Sequence, residues 1–257
     1  MKYCLALLFL IPVTVFAEEW TPPANPDPQT ILNEAQDDAR EKRYEMALAK
    51  HLWFHENATK LQPGMSGVRL SFALSYWNNL GKVYPPAMDQ LREIRDEASE
   101  NVLNGKQLTN SFHDLASINR TLSEDTHTVD TFILLDTQNT KSAKSVYRLA
   151  RRALIKGKEY QLCGKYLDPK RSYPIILKGR EANQRLAKNP KFGARLLEFG
   201  NKKFTNDTAT LIALLVVNDR KREPNEIAVS AKTEWDNAAF HAAINKALEG
   251  NVPTPWP

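Results

Sequence analysis

His51 and His55 stand four residues apart, the spacing at which one helix face offers two imidazoles to one metal ion. Glu56 follows, but position 59 is Thr59, so the His-Glu-x-x-His zinc-protease pattern is broken. A third ligand would have to come from His113, His127 or Asp114, far along the chain. On the apolar side of a helical hairpin such histidines read first as core residues, which leaves His51 and His55 a weak metal candidate. Ser111-Phe112-His113-Asp114 places three triad residue types side by side. Triads are assembled in space from distant positions, so Ser111 or Asn110 reads better as a helix cap. No Gly-x-Ser-x-Gly elbow, phosphate-cradling glycine loop, Cys-x-x-Cys or Gly-x-Gly-x-x-Gly is present. The sequence therefore names no catalytic residue and no cofactor. Enzymatic activity stays open, with the balance against it.

The other residues able to do chemistry are cationic. Residues 18–140 hold 11 Lys and Arg against 19 Asp and Glu, whereas residues 141–188 hold 14 against 3. Arg148, Arg151 and Arg152 lie three and four apart and are expected on one helix face. Two readings stand: a face complementary to the acidic first half of the chain, or a docking surface for an anion. In an exported protein that anion is an acidic peptide, a phospholipid or an envelope polymer sooner than a nucleic acid.

Helices must position these groups. No stretch alternates with period two, so no sheet is expected. Asp27-Pro28 is an N-cap followed by proline at the first helical position. Ile31, Leu32, Ala35 and Ala39 follow at helical spacing up to a corner at Lys42-Arg43-Tyr44. A second apolar face, Ala47 to His55, runs on to the stop at Gln62-Pro63-Gly64. Further helices are expected over 66–80, from 87 to an end at Asn104-Gly105, and over 110–122, 124–136, 140–156, 172–188, 190–203, 208–218, 224–233 and 236–249. In this scheme Ser172 and Asp207 are caps. The aromatics Trp53, Phe54, Tyr76, Trp77 and Tyr84 read as core.

Tyr44-Glu45-Met46-Ala47, preceding Leu61-Gln62-Pro63, resembles the second half of a tetratricopeptide repeat: an aromatic at the corner, a small residue three later and a closing proline. Tyr84-Pro85-Pro86-Ala87 and Tyr160-Gln161-Leu162-Cys163 repeat the pattern, Leu122 falls midway, and Trp235-Asp236-Asn237-Ala238 echoes it. The resemblance implies an all-α fold of stacked antiparallel helical hairpins, a divergent tetratricopeptide-like superhelix or α-solenoid. Such folds bind on their concave surface, which would draw on Asp37, Arg40, Asn78 and Arg148. The implied function is an exported binding or scaffolding protein for a protein, a peptide or an anionic envelope partner. The alternative is a cell-envelope hydrolase or lyase whose site is assembled from scattered His, Glu and Asp residues.

Export is read from the first residues. One lysine precedes an apolar run from Leu5 to Phe16, and Val15-Phe16-Ala17 supplies small residues at the cleavage positions. Residues 1–17 are thus expected to be a signal peptide for a periplasmic or secreted protein. Residues 18–27 read as a Pro-rich linker, 28–250 as the helical repeat domain and 251–257 as a Pro-rich tail. No later stretch is expected to span a membrane. Cleavage would leave Cys163 as the single cysteine, buried and inert.

Overall fold

The computed structural model describes residues 20–191 and 193–256; the expected signal peptide lies outside the described residues. Among these residues the secondary structure is helical throughout, with thirteen α-helices and no strand. The all-α expectation holds. The chain divides into two compact units, one ending at Met88 and the other beginning at Asp89.

In the first unit Asp27 caps α1 (Pro28–Arg40), its carboxylate accepting from the Thr30 N–H at 2.9 Å. Lys42, at φ 63°, turns the chain into α2 (Tyr44–Leu61). Leu32, Phe54, Ala58 and Ala73 pack together across this hairpin. The helix expected over 66–80 is broken. A 3-10 turn at Pro63–Met65 leads into α3 (Ser66–Arg69), and the chain bends at Leu70-Ser71 before α4 (Phe72–Gly81). Beyond the break Trp77 is buried, and its indole N–H donates to the Ala87 carbonyl at 2.8 Å. Tyr44 and Tyr84 stack with ring centroids 5.7 Å apart.

The second unit takes in most of α5 (Pro85–Leu103), then α6 (Leu108–Leu122), α7 (Asp125–Gln138), α8 (Thr140–Lys156), α9 (Tyr160–Tyr166), α10 (Pro169–Ala187), α11 (Gly193–Val216), α12 (Glu223–Glu234) and α13 (Ala238–Leu248). One core joins Phe112, Phe132, Val146, Leu154, Cys163, Phe204, Ile212, Leu215 and Phe240. Two expected boundaries move. Asp168, not Ser172, caps α10, accepting from the Arg171 N–H at 3.1 Å with Pro169 next in line. The segments expected as 190–203 and 208–218 are one continuous helix, α11. Asp207 does not cap; it lies inside α11 and pairs with Lys203 one turn earlier at 2.6 Å. Ser111 does not cap either: its hydroxyl donates to the Lys106 carbonyl at 3.0 Å.

The Pro-rich tail is tied to α11. The Asn206 amide donates to the Thr254 carbonyl at 2.8 Å and accepts from the Trp256 N–H at 3.2 Å. Asn206 and Asn119 are both glycosylation sequons by sequence. Asn119 is fully buried and bonded to Thr128, so glycosylation there requires local unfolding.

Candidate functional site

The basic stripe is built on α8. Asn139 caps this helix, accepting from the Ser142 N–H at 3.0 Å. Ala143, Val146, Ala150, Ala153 and Leu154 bury one side in the core. The opposite side is left to Lys141, Lys144, Arg148 and Arg151, spaced three, four and three residues apart. They form one wall of a cleft of about 690 Å³, within the range of ligand sites. The second wall comes from α10, with Arg171, Ile175, Ile176, Gly179 and Asn183, and the third from α11, with Gly200, Lys203, Phe204 and Asp207. Tyr147 and Tyr166, both mostly buried, also line it. A methyl group at Gly200 would come 2.7 Å from the Asn183 Cβ, so these two walls meet at van der Waals contact.

Two cations of the cleft are neutralised. Lys203 pairs with Asp207. Arg180 is buried between Phe204 and Trp235, its guanidinium 5.0 and 5.2 Å from their ring centroids, and it donates to Glu234 Oε1 at 2.8 Å. The side-chain nitrogens of Lys141, Lys144, Arg148, Arg151 and Arg171 have no carboxylate oxygen within 4.0 Å among the described residues, and Asp168, which also lines the cleft, is engaged in capping α10 through the Arg171 N–H. Cations elsewhere in the basic block do find acidic partners: Lys156 pairs with Asp125 at 2.6 Å and Lys165 with Asp136 at 2.7 Å. Asp136 also accepts from the Tyr166 hydroxyl. The basic block is therefore both structural and open, at different residues.

Arg152 does not belong to the stripe. Consecutive helical residues diverge by about 100°, and the step from Arg151 to Arg152 leaves the cleft. Arg152 is half-buried with its Nε lacking a partner, and its charge adds to burial in lowering the Arg120 pKa. Sequence reasoning missed Arg180, Lys203, Phe204 and Tyr147 as lining residues. The Lys203/Asp207 spacing was a visible signal; nothing in the local sequence marked Arg180.

The remaining candidates belong to the first unit. Arg40 rims a hollow of about 270 Å³ with Gln36, His51, Tyr76 and Asn79. Asp37 is paired with Arg40 at 2.8 Å rather than facing the hollow, and Asn79 lines it in place of Asn78. His51 stacks on the Trp77 ring at 5.7 Å, and His55 meets its edge at 6.0 Å. His55 Nε2 lies 2.9 Å from the Arg69 guanidinium. Burial pushes the His51 pKa down to about 4, and its Nδ1 has no hydrogen-bond partner. Among the described residues no three His, Cys, Asp or Glu side chains gather where they could hold a metal ion. Burial raises the Cys163 thiol to about 11, far from the thiolate a nucleophile needs. Among the described residues no helix is long and apolar enough to cross a membrane. Set against protein-family models, curated proteins and solved structures, the chain matches none of them.

Proposed function

We propose that this is an exported, all-helical binding or scaffolding protein whose second unit holds an anionic partner in the cleft between α8, α10 and α11. One observation carries the reading: five side-chain cations line a single concavity without an ion pair among the described residues, while its two carboxylates are engaged elsewhere, Asp168 in the α10 cap and Asp207 with Lys203. Like charges brought together in a partly enclosed site repel one another, and an arriving anion relieves that repulsion. Export rests on the pattern of residues 1–17.

The same proposal takes the architecture to be a divergent helical repeat. Its support is that Ala47, Ala87 and Cys163 are each fully buried, three residues after Tyr44, Tyr84 and Tyr160. A small residue at each corner lets the next helix approach closely.

The test is binding of an acidic probe, polyglutamate, at rising salt. Exposed charges are screened over about 10 Å at 0.1 M ionic strength, so affinity should fall steeply as salt rises. Arg148→Glu combined with Arg151→Glu should abolish binding at every salt concentration. Salt-insensitive binding, or binding that survives the double reversal, removes the cleft from the function.

A further inference from the structure

The cleft's three walls differ in chemistry, and the difference bears on what it holds. This inference rests on reading the cleft as an anion site. The open cations are confined to α8 and to Arg171 near the start of α10. Along the rest of α10 and on α11 the lining cations are already paired, Arg180 with Glu234 and Lys203 with Asp207. Apolar surface takes over there. Ile175, Gly179, Ala182 and Leu186 follow one another at intervals of four, three and four residues and so share one face of α10, with no charged member. Ile175 is 44% exposed and Leu186 52% exposed.

On α11 the face that carries Gly200 and Phe204 in the cleft continues towards the helix start as Leu196 and Leu197, the latter 41% exposed. The cleft-lining residues of α10 end at Asn183 and those of α11 begin at Gly200, where the two helices touch. An uncharged track thus leaves the cleft along the α10–α11 hairpin. From Ile175 to Leu186 it runs eleven residues, roughly 16 Å at 1.5 Å per residue. One leaflet of a bilayer's hydrocarbon core is about 15 Å thick, half of about 30 Å, which is the reach of one extended acyl chain.

The geometry points to an amphiphilic anion as the ligand: one acyl chain along the α10–α11 track, with its charged head group against Lys141, Lys144, Arg148, Arg151 and Arg171. A linear polyanion would meet open cations only on α8 and at Arg171 and would leave the apolar track exposed. An uncharged lipid would leave five cations crowded together. The head group is a carboxylate or a phosphodiester; both satisfy the same guanidinium and ammonium donors.

The experiment is equilibrium binding of the purified protein, at low salt, to probes held below their micelle concentrations. The probes are a saturated fatty acid, a lysophosphatidylglycerol and an alkyl maltoside of matched chain length. Polyglutamate and inorganic phosphate serve as anions without a chain. Both anionic amphiphiles should bind one to one, at least about tenfold tighter than the maltoside or either chainless anion. The ratio between the fatty acid and the lysophospholipid identifies the preferred head group. Arg148→Glu with Arg151→Glu should weaken amphiphile binding by about tenfold or more. Leu186→Ser with Leu197→Ser, both exposed and outside the cleft lining, should weaken it as much while leaving polyglutamate binding unchanged.

Equal affinity for chainless anions and amphiphiles overturns the amphiphile while leaving the anion site standing. Binding to vesicles of anionic lipid without uptake of monomeric amphiphile also overturns it, in favour of a membrane-surface contact. If no anion binds at all, the parent reading and this one fall together.

Discussion

Lys50 and Arg148 are both cations on the second helix of a hairpin, and their surroundings are opposite. In the first unit Lys50 is buried and reaches back to α1, 2.7 Å from Asp38 and 3.0 Å from Glu34; Arg43 closes on the same Asp38 at 2.8 Å. In the second unit Arg148 follows α7 on α8 and faces a cleft with no carboxylate oxygen within 4.0 Å of its guanidinium among the described residues. The difference lies in which side of the hairpin the acids occupy. Asp38 sits among the inward positions of α1, whereas Asp125 and Asp136 meet Lys156 and Lys165 and leave the α8 stripe unanswered. Charge in the first unit holds a hairpin together; charge on the cleft wall of the second is available to something else.

The largest expected effect tests the closed side of this contrast. Asp38→Ala leaves the buried Lys50 ammonium only the half-exposed Glu34 and releases Arg43 as well; breaking one partner of a buried pair costs about 3–5 kcal/mol, and Glu34 holds the loss to the lower end of that range. Chemical denaturation at neutral pH measures it; a loss below about 1 kcal/mol would mean that Lys50 escapes to water and that the network is no lock.

Next comes pH. Native His51 is neutral down to about 4, against 6.5 when exposed. Below 6.5 the unfolded chain takes up a proton that the native state refuses. Stability is therefore full above pH 6.5 and falls as the pH drops towards 4, by about 3 kcal/mol in total. Denaturation midpoints at pH 7 and pH 4.5 should show most of this loss, and His51→Phe should remove it.

A smaller effect is expected at the first corner. Ala47 is fully buried beside the stacked Tyr44 and Tyr84, so Ala47→Leu should destabilise by about 1–3 kcal/mol through overpacking. The smallest effect sharpens the open side. Arg148→Glu with Arg151→Glu breaks no ion pair and should change stability by no more than about 0.5 kcal/mol. A larger loss would place those arginines among the residues that hold the fold.

The sequence displayed helix type better than helix ends. The α8 stripe was legible because its charges repeat every three or four residues over an unbroken apolar face. Arg152 was misplaced with them because the same spacing rule tolerates neighbours that diverge by about 100°. The break at Leu70-Ser71 left no mark, since Leu70, Leu74 and Trp77 keep helical spacing across it. Asp207 before a run of apolar residues looks the same as a cap or as the partner of Lys203, and only the tertiary position of α11 decides. The second and third walls of the cleft lie on helices distant in sequence, so no local pattern could assemble them.

Gly200 stands where the α10 and α11 walls meet. The separation of the α10 and α11 walls is set by a side chain that is not there, because any β-carbon at this position collides with Asn183. The attraction of the cleft is written elsewhere, on α8. Bore and charge are therefore under separate genetic control. If the cleft holds an anion as proposed, a single Gly→Ala change retunes the size of what fits without touching the lysines and arginines. Equally, drift among those cations could alter how strongly a ligand is drawn in while the passage keeps its width. On the proposed function, a descendant of this chain changes its ligand one feature at a time, without passing through a form that has lost both.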